Sequence, residues 1–219
     1  MRNQGSPAWS FKLDQSIIMH PGVIITSVAL VLLLLAEYQG NKSQVWVWKP
    51  LASCGFLFFA LKAPKFDAIM FTGLCLAWLG DVLLIPADER IFQAGIASFL
   101  FGHVFYAIAF YQNNVIHART AALAIAPLAV IFAAVNHILS PNVPSDMQIP
   151  VIAYMFVISA MVDVAIATHD TTVIVGALLF YISDFLVARD QFLSPGFSNK
   201  AVGLPLYYGA QLILGWTLY

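Results

Sequence analysis

Apolar residues run along this chain in long blocks, separated by short clusters of polar residues, Pro and Gly. The blocks are too long for strands. They are also too evenly apolar for surface helices, in which polar positions recur every three or four residues. A helix needs about 20 apolar residues to cross the roughly 30 Å hydrocarbon core of a bilayer. Eight stretches approach that length: Gly22–Tyr38, Val45–Leu61, Lys65–Ile85, Phe92–Gln112, Thr120–Leu139, Pro150–Thr168, Thr172–Ala188 and Leu204–Tyr219. Pro64, Pro86, Pro141, Pro144 and Pro195 mark the connections, where a helix must stop. The longest connection is expected at Arg189–Gly203, turning at Ser194-Pro195-Gly196.

The pattern predicts an all-α, polytopic integral membrane protein with about eight transmembrane helices in one compact bundle. Residues 1–219 read as a single transmembrane domain, with a segment at 1–20 ahead of the bundle at 21–219. Arg2 and Lys12 precede the first block, which is long for a signal peptide and has no clean small-x-small site after it. It therefore reads as a retained helix. Composition agrees: 61% of the 219 residues are hydrophobic and 10% charged, with a mean hydropathy of +0.84. A soluble domain carries about 25% charged residues, so this chain lacks the polar surface to be soluble. A net charge of −1 leaves no footprint for nucleic acid. Cys54 and Cys75 fall inside apolar blocks and read as small buried hydrophobes.

Against this background two aspartates stand out, Asp81 within LCLAWLGDVLLI and Asp184 within VGALLFYISDFLV. A carboxylate near the centre of a membrane helix costs roughly 2.5–3.5 kcal/mol on insertion scales. It persists where it pairs, conducts ions or does chemistry. Counting places both acids at one depth. Spans three and seven run in the same direction, and each aspartate lies near the C-terminal end of its span. Glu37, Lys49, Tyr207 and Gln211 fall in the same half of the membrane. A faint likeness between LAWLGDVL and LFYISDFL suggests two four-helix halves, each with its aspartate on the third helix. The two carboxyls are expected in one cavity, within direct or one-water reach. There one would hold a proton while the other stayed ionised. The alternative is a structural pair tied to Ser183, Tyr181 or Lys49.

Other polar residues have two readings each. His103 either orients a carboxylate or is a core histidine bonded to backbone or to Tyr106. Lys49 either snorkels or neutralises a carboxylate or phosphate. Tyr207, Tyr208 and Gln211 either donate into the cavity or, for the tyrosines, belong to an interfacial belt. Glu37 and Asn41 are loop polar residues or site residues. No second His or Cys stands at metal spacing, so no zinc site is expected. Basic residues on the terminus side are Arg2, Lys12, Lys62, Lys65 and Arg119; Lys42, Arg90, Arg189 and Lys200 lie opposite. The positive-inside rule then puts the termini in the cytoplasm and the cavity mouth away from it, in a bacterial inner membrane.

These residues resemble the YhhN-like family of membrane lysoplasmalogenases. The matching pieces are Lys49-Pro50, Gly80-Asp81 with Leu84, Phe92, Gly95, Phe99, Gly102-His103 and Tyr106. They continue with Gly176-Ala177, Phe180, Ser183-Asp184, Ala188, Tyr207-Tyr208 and Gln211. The first twenty residues and spans five and six carry no part of the likeness. The resemblance implies hydrolysis of the vinyl ether bond of lysoplasmalogens, giving a fatty aldehyde and glycerophosphoethanolamine or glycerophosphocholine. It implies Asp81 and Asp184 as the catalytic pair. Lys49, His103, Tyr106, Tyr181, Tyr207, Gln211, Glu37 and Asn41 are then expected to bind or orient the substrate. The chemistry calls for no metal or organic cofactor. The expected partners are a lysophospholipid substrate and the surrounding lipids, and no feature of the chain fixes an oligomeric state. The rival reading is a proton-coupled transporter of a small or lipid-like solute. It would favour helices broken at matching places in both halves, whereas Pro127 and Pro150 are not symmetrically placed.

Overall fold

The computed structural model describes residues 19–219, and Arg2, Lys12 and nearly all of the 1–20 segment lie outside the described residues. Among the described residues eight α-helices follow one another: α1 Pro21–Tyr38, α2 Lys42–Leu61, α3 Ala68–Leu83, α4 Glu89–Asn113, α5 Ala118–Leu139, α6 Gln148–Ala167, α7 Thr171–Phe192 and α8 Phe197–Trp216. Six of them, α1, α2 and α4 to α7, have the length and apolarity to cross a bilayer. α3 is shorter, at 16 residues, or about 24 Å. α8 is long enough but carries Asn199, Lys200 and Gln211. Large apolar side chains such as Val28, Leu123, Val130 and Phe156 point outward, an arrangement that lipid accepts and water does not.

Short polar side chains start the helices. Asp67, Asp88 and Asp170 accept from the first free backbone N–H groups of α3, α4 and α7, and Asn41 does so for α2. Small residues let the helices approach. Between α1 and α2, Gly22 and Gly55 lie so close that a Cβ on Gly22 would come within 2.6 Å of the Gly55 carbonyl, and Thr26 Oγ1 donates to the Ala52 carbonyl at 2.9 Å. Such contacts bind helices together in lipid, where apolar surface alone gives no drive to associate.

α1 pairs with α2, α3 with α4 and α7 with α8; α6 packs on α4, α5 and α7, and α8 packs back on α1 and α2. α5 stands at the periphery, burying only Ala124 and Leu139. The start of α1 and the end of α8 share one face: the His20 ring lies 6.2 Å from that of Tyr219, and Lys65 N–H donates to the Leu218 carbonyl. The aspartates lie toward the other face, near the C-terminal ends of α3 and α7. Cys54 is exposed rather than buried.

One expected connection is corrected. Arg189–Gly203 is mostly helical, since α7 continues to Phe192 and α8 begins at Phe197; the longest connection is instead Ser140–Met147. Polar residues at these two helix ends satisfy one another. Arg189 donates to Asn199, which donates to Asp190 and to the Ser194 carbonyl, while Gly196 N–H also bonds Asp190. With Cys54 and Cys75 replaced by alanine, single cysteines from Gln39→Cys and Ser194→Cys should react with an impermeant thiol reagent from one side of the membrane. Those from Lys65→Cys and His169→Cys should react only from the other. The basic-residue count puts the first pair outside the cytoplasm, so intact cells should label those two.

Candidate active site

Asp81 is 2% exposed, one turn from the end of α3. Hydrocarbon cannot solvate it, and three donors do so instead. Ser53 Oγ on α2 donates to its Oδ2 at 2.5 Å, and Tyr207 O–H on α8 donates to the same oxygen at 2.7 Å. Lys49 Nζ stands 3.6 Å from Oδ1. Lys49 and Ser53 are four residues apart on α2, so both project from one face of that helix. Tyr208 O–H holds the Lys49 carbonyl at 3.2 Å.

Asp184 on α7 has different company. Tyr154 O–H on α6 donates to its Oδ2 at 2.5 Å, and His103 Nε2 on α4 lies 3.2 Å from that oxygen and 2.9 Å from the tyrosine hydroxyl. His103 is fully buried, and its Nδ1 has no partner. A proton there would be a stranded donor, so the geometry favours an Nε2–H that donates to the carboxylate. No hydrogen bond joins the two aspartates among the described residues. The Phe180 ring touches both groups, 4.6 Å from the His103 ring and 5.3 Å from that of Tyr207.

Both carboxyls line one cavity of about 650 Å³. Glu37, Lys49, Lys200 and Tyr207 form a polar part of its wall; Phe92, Ile96, Val135, Leu139, Met147, Val151 and Met155 form an apolar part. Glu37 accepts from Lys200 Nζ at 2.7 Å. Tyr181 lines the cavity and pairs with Ser159 at 3.3 Å. The described residues include no cluster of three or more metal-ligating side chains.

Three expected site residues are elsewhere. Tyr106 and Gln211 bond each other at 2.7 Å within the core, away from the cavity lining. Gln211 is one turn past Tyr207 on α8 and deeper in the bundle. Asn41 caps α2 through Gln44 N–H. Ser183, considered a partner for the aspartates, instead donates to the Gly203 carbonyl and ties α7 to α8. Tyr154, Ser53 and Lys200 were not foreseen. The signal for Ser53 was its helical spacing from Lys49. Lys200 counted only as a loop charge, and Tyr154 lies in a span whose one acid, Asp163, reads as a packing or water-bonded residue toward the other leaflet.

An apolar bundle with two separately solvated carboxylates over a lipid-sized cavity defines an integral membrane protein with an intramembrane polar site. The model of the YhhN family matches residues 44–218, and the chain belongs to that family. The membrane protein YhhN of Escherichia coli is 41% identical over 78 residues, covering 34% of this chain and 37% of that relative's length. Lysoplasmalogenase TMEM86B of Homo sapiens is 30% identical over 165 residues, covering 75% of this chain and 69% of its own length. Lysoplasmalogenase TMEM86A of Bos taurus is 28% identical over 180 residues, covering 78% and 71% respectively. No solved structure matches the chain.

Removing one member of a buried ion pair strands the other, at about 3 kcal/mol or more. Lys49→Met should therefore lower the thermal midpoint of the purified protein. The double variant Lys49→Met with Asp81→Asn should recover most of that loss, since no charge is then left behind.

Proposed function

We propose that the protein is a lysoplasmalogenase that cleaves the vinyl ether bond of 1-alkenyl glycerophospholipids, with Asp81 and Asp184 as a catalytic pair of unlike roles. One observation carries the reading: two carboxyls line one cavity in an apolar bundle, one beside a lysine and the other held by a tyrosine and a histidine. The names of the TMEM86 relatives support the substrate class.

A vinyl ether is cleaved by protonating its β-carbon. The electron pair of the double bond takes the proton, leaving an oxocarbenium ion at the α-carbon. Water adds there and loses a proton. The resulting hemiacetal collapses to an aldehyde as the glycerol oxygen leaves with a proton. The sum is alkenyl ether plus water giving aldehyde plus alcohol, with no electrons gained or lost.

The two environments divide this work. Asp81 is surrounded by Lys49, Ser53 and Tyr207, all donors, which suits a fixed anion. It would stabilise the oxocarbenium ion and accept the proton of the attacking water. Among the described residues no lysine or arginine pairs with Asp184. Its Oδ2 is occupied by Tyr154 and His103, whereas its Oδ1 carries no hydrogen bond from a described residue. We assign Oδ1 as the site of the proton delivered to carbon. His103 lies behind Asp184 and does not line the cavity, so it is a positioning residue. The two-carboxyl logic parallels glycoside hydrolysis by analogy. The alkenyl chain would lie along Phe92, Ile96, Met147 and Met155. Both α3 and α7 run unbroken through their aspartates, unlike the discontinuous helices on which carriers bind ions and solutes.

Asp81→Asn and Asp184→Asn should each lower aldehyde release from a lysoplasmalogen by at least about 100-fold with membrane insertion retained, the Asp81 variant being assayed below the lowered thermal midpoint that a stranded Lys49 brings. Near-native turnover by either variant, folded and inserted, would refute the mechanism. His103→Ala should lower kcat about tenfold or more with little effect on KM, because it acts through Asp184 rather than on the lipid. His103→Gln, which can still donate to the carboxylate, should recover part of that loss; a merely structural histidine would show no such split.

A further inference from the structure

Glu37 at the end of α1 and Lys200 in the first turn of α8 form an ion pair at 2.7 Å, and both line the same cavity as Lys49. Their side chains are 17% and 40% exposed, respectively. A pair this accessible adds little to stability, and α1 and α8 already pack on one another. Lys200 is nonetheless held in place. Its neighbour Asn199 is 2% exposed and is fixed by Arg189, Asp190 and the Ser194 carbonyl.

We propose that Glu37 and Lys200 read the lipid headgroup, and that they select phosphoethanolamine. The inference deepens the hydrolase reading above and rests on it for the class of lipid. A phosphoethanolamine carries one anion and one primary ammonium a few bonds apart. On binding, the phosphate takes Lys200, with Lys49 close by, and the ammonium takes Glu37. The ligand thus replaces an internal pair charge for charge. Its –CH2–NH3+ terminus is chemically that of the lysine it displaces, so it can donate to Glu37 at the same short distance. A choline headgroup carries the same charge but has no N–H to donate, and its methyl groups hold the nitrogen farther from the carboxylate. A bare phosphate headgroup leaves Glu37 without a cation and sets two like charges side by side. Asp88, Glu89 and Asp190, which also line the cavity, increase the penalty on a net-anionic lipid.

The test uses uncleavable lipids, so that binding is read apart from turnover. Saturated 1-O-alkyl lysophospholipids bearing phosphoethanolamine, phosphocholine or phosphate alone are titrated calorimetrically into the purified full chain. The ethanolamine lipid should bind about tenfold more tightly than either of the others. Glu37→Gln, checked for an unchanged thermal midpoint, should erase that preference. Lys200→Gln should weaken all three lipids while leaving the ethanolamine-to-choline ratio in place. Equal binding of the three lipids by the unmodified protein overturns the proposal, as does a preserved ethanolamine preference in folded Glu37→Gln. Aldehyde release from a vinyl ether lipid by the same preparation reports the catalytic reading separately. Headgroup preference without aldehyde refutes the hydrolase and leaves the headgroup site standing. Aldehyde without preference does the reverse.

Discussion

Everything near the cavity follows from the cost of one carboxylate in hydrocarbon. Asp81 is nearly buried, so three side chains solvate it, and they come from two helices other than its own. That requirement ties α2, α3 and α8 together at one depth. It orients Lys49, aims the Tyr207 hydroxyl and leaves a polar surface at the edge of an apolar hollow. A well-packed leucine in place of Asp81 would relieve α2 and α8 of that duty, and the bundle would lose its reason to hold polar groups there.

The second carboxylate meets the same cost by a different route. Asp184 relies on a tyrosine and an imidazole, and the imidazole's other nitrogen has no partner among the described residues. Phe180 lies against both clusters. Two acids that line one cavity thus have unlike hydrogen-bonding partners.

Depth was legible in the chain; rotation about the helix axes was not. Apolar blocks and the prolines between them gave most helix ends to within a few residues, the start of α8 excepted, and counting spans placed the two acids on one side. But helices that are apolar all round carry little periodic record of which face turns inward. Gln211 and Tyr106 could therefore be assigned to the cavity, although they pair with each other behind it. Tyr154 escaped notice because a tyrosine inside a span is cheap enough to need no explanation. The turn between α7 and α8 was misjudged for a related reason. Arg189, Asp190 and Asn199 look like loop residues in sequence, yet they sustain the helix ends by bonding one another.

α5 is attached to the bundle on one side and buries two residues, yet Val135 and Leu139 near its end form part of the cavity wall. A wall built on such an appendage can change without disturbing the frame. Substitutions there alter the room available to a long chain while sparing the carboxyls, their donors and the packed helix pairs. Selectivity for ligand length is therefore free to drift in evolution, or be redrawn by an engineer, in the helix that contributes least to holding the molecule together.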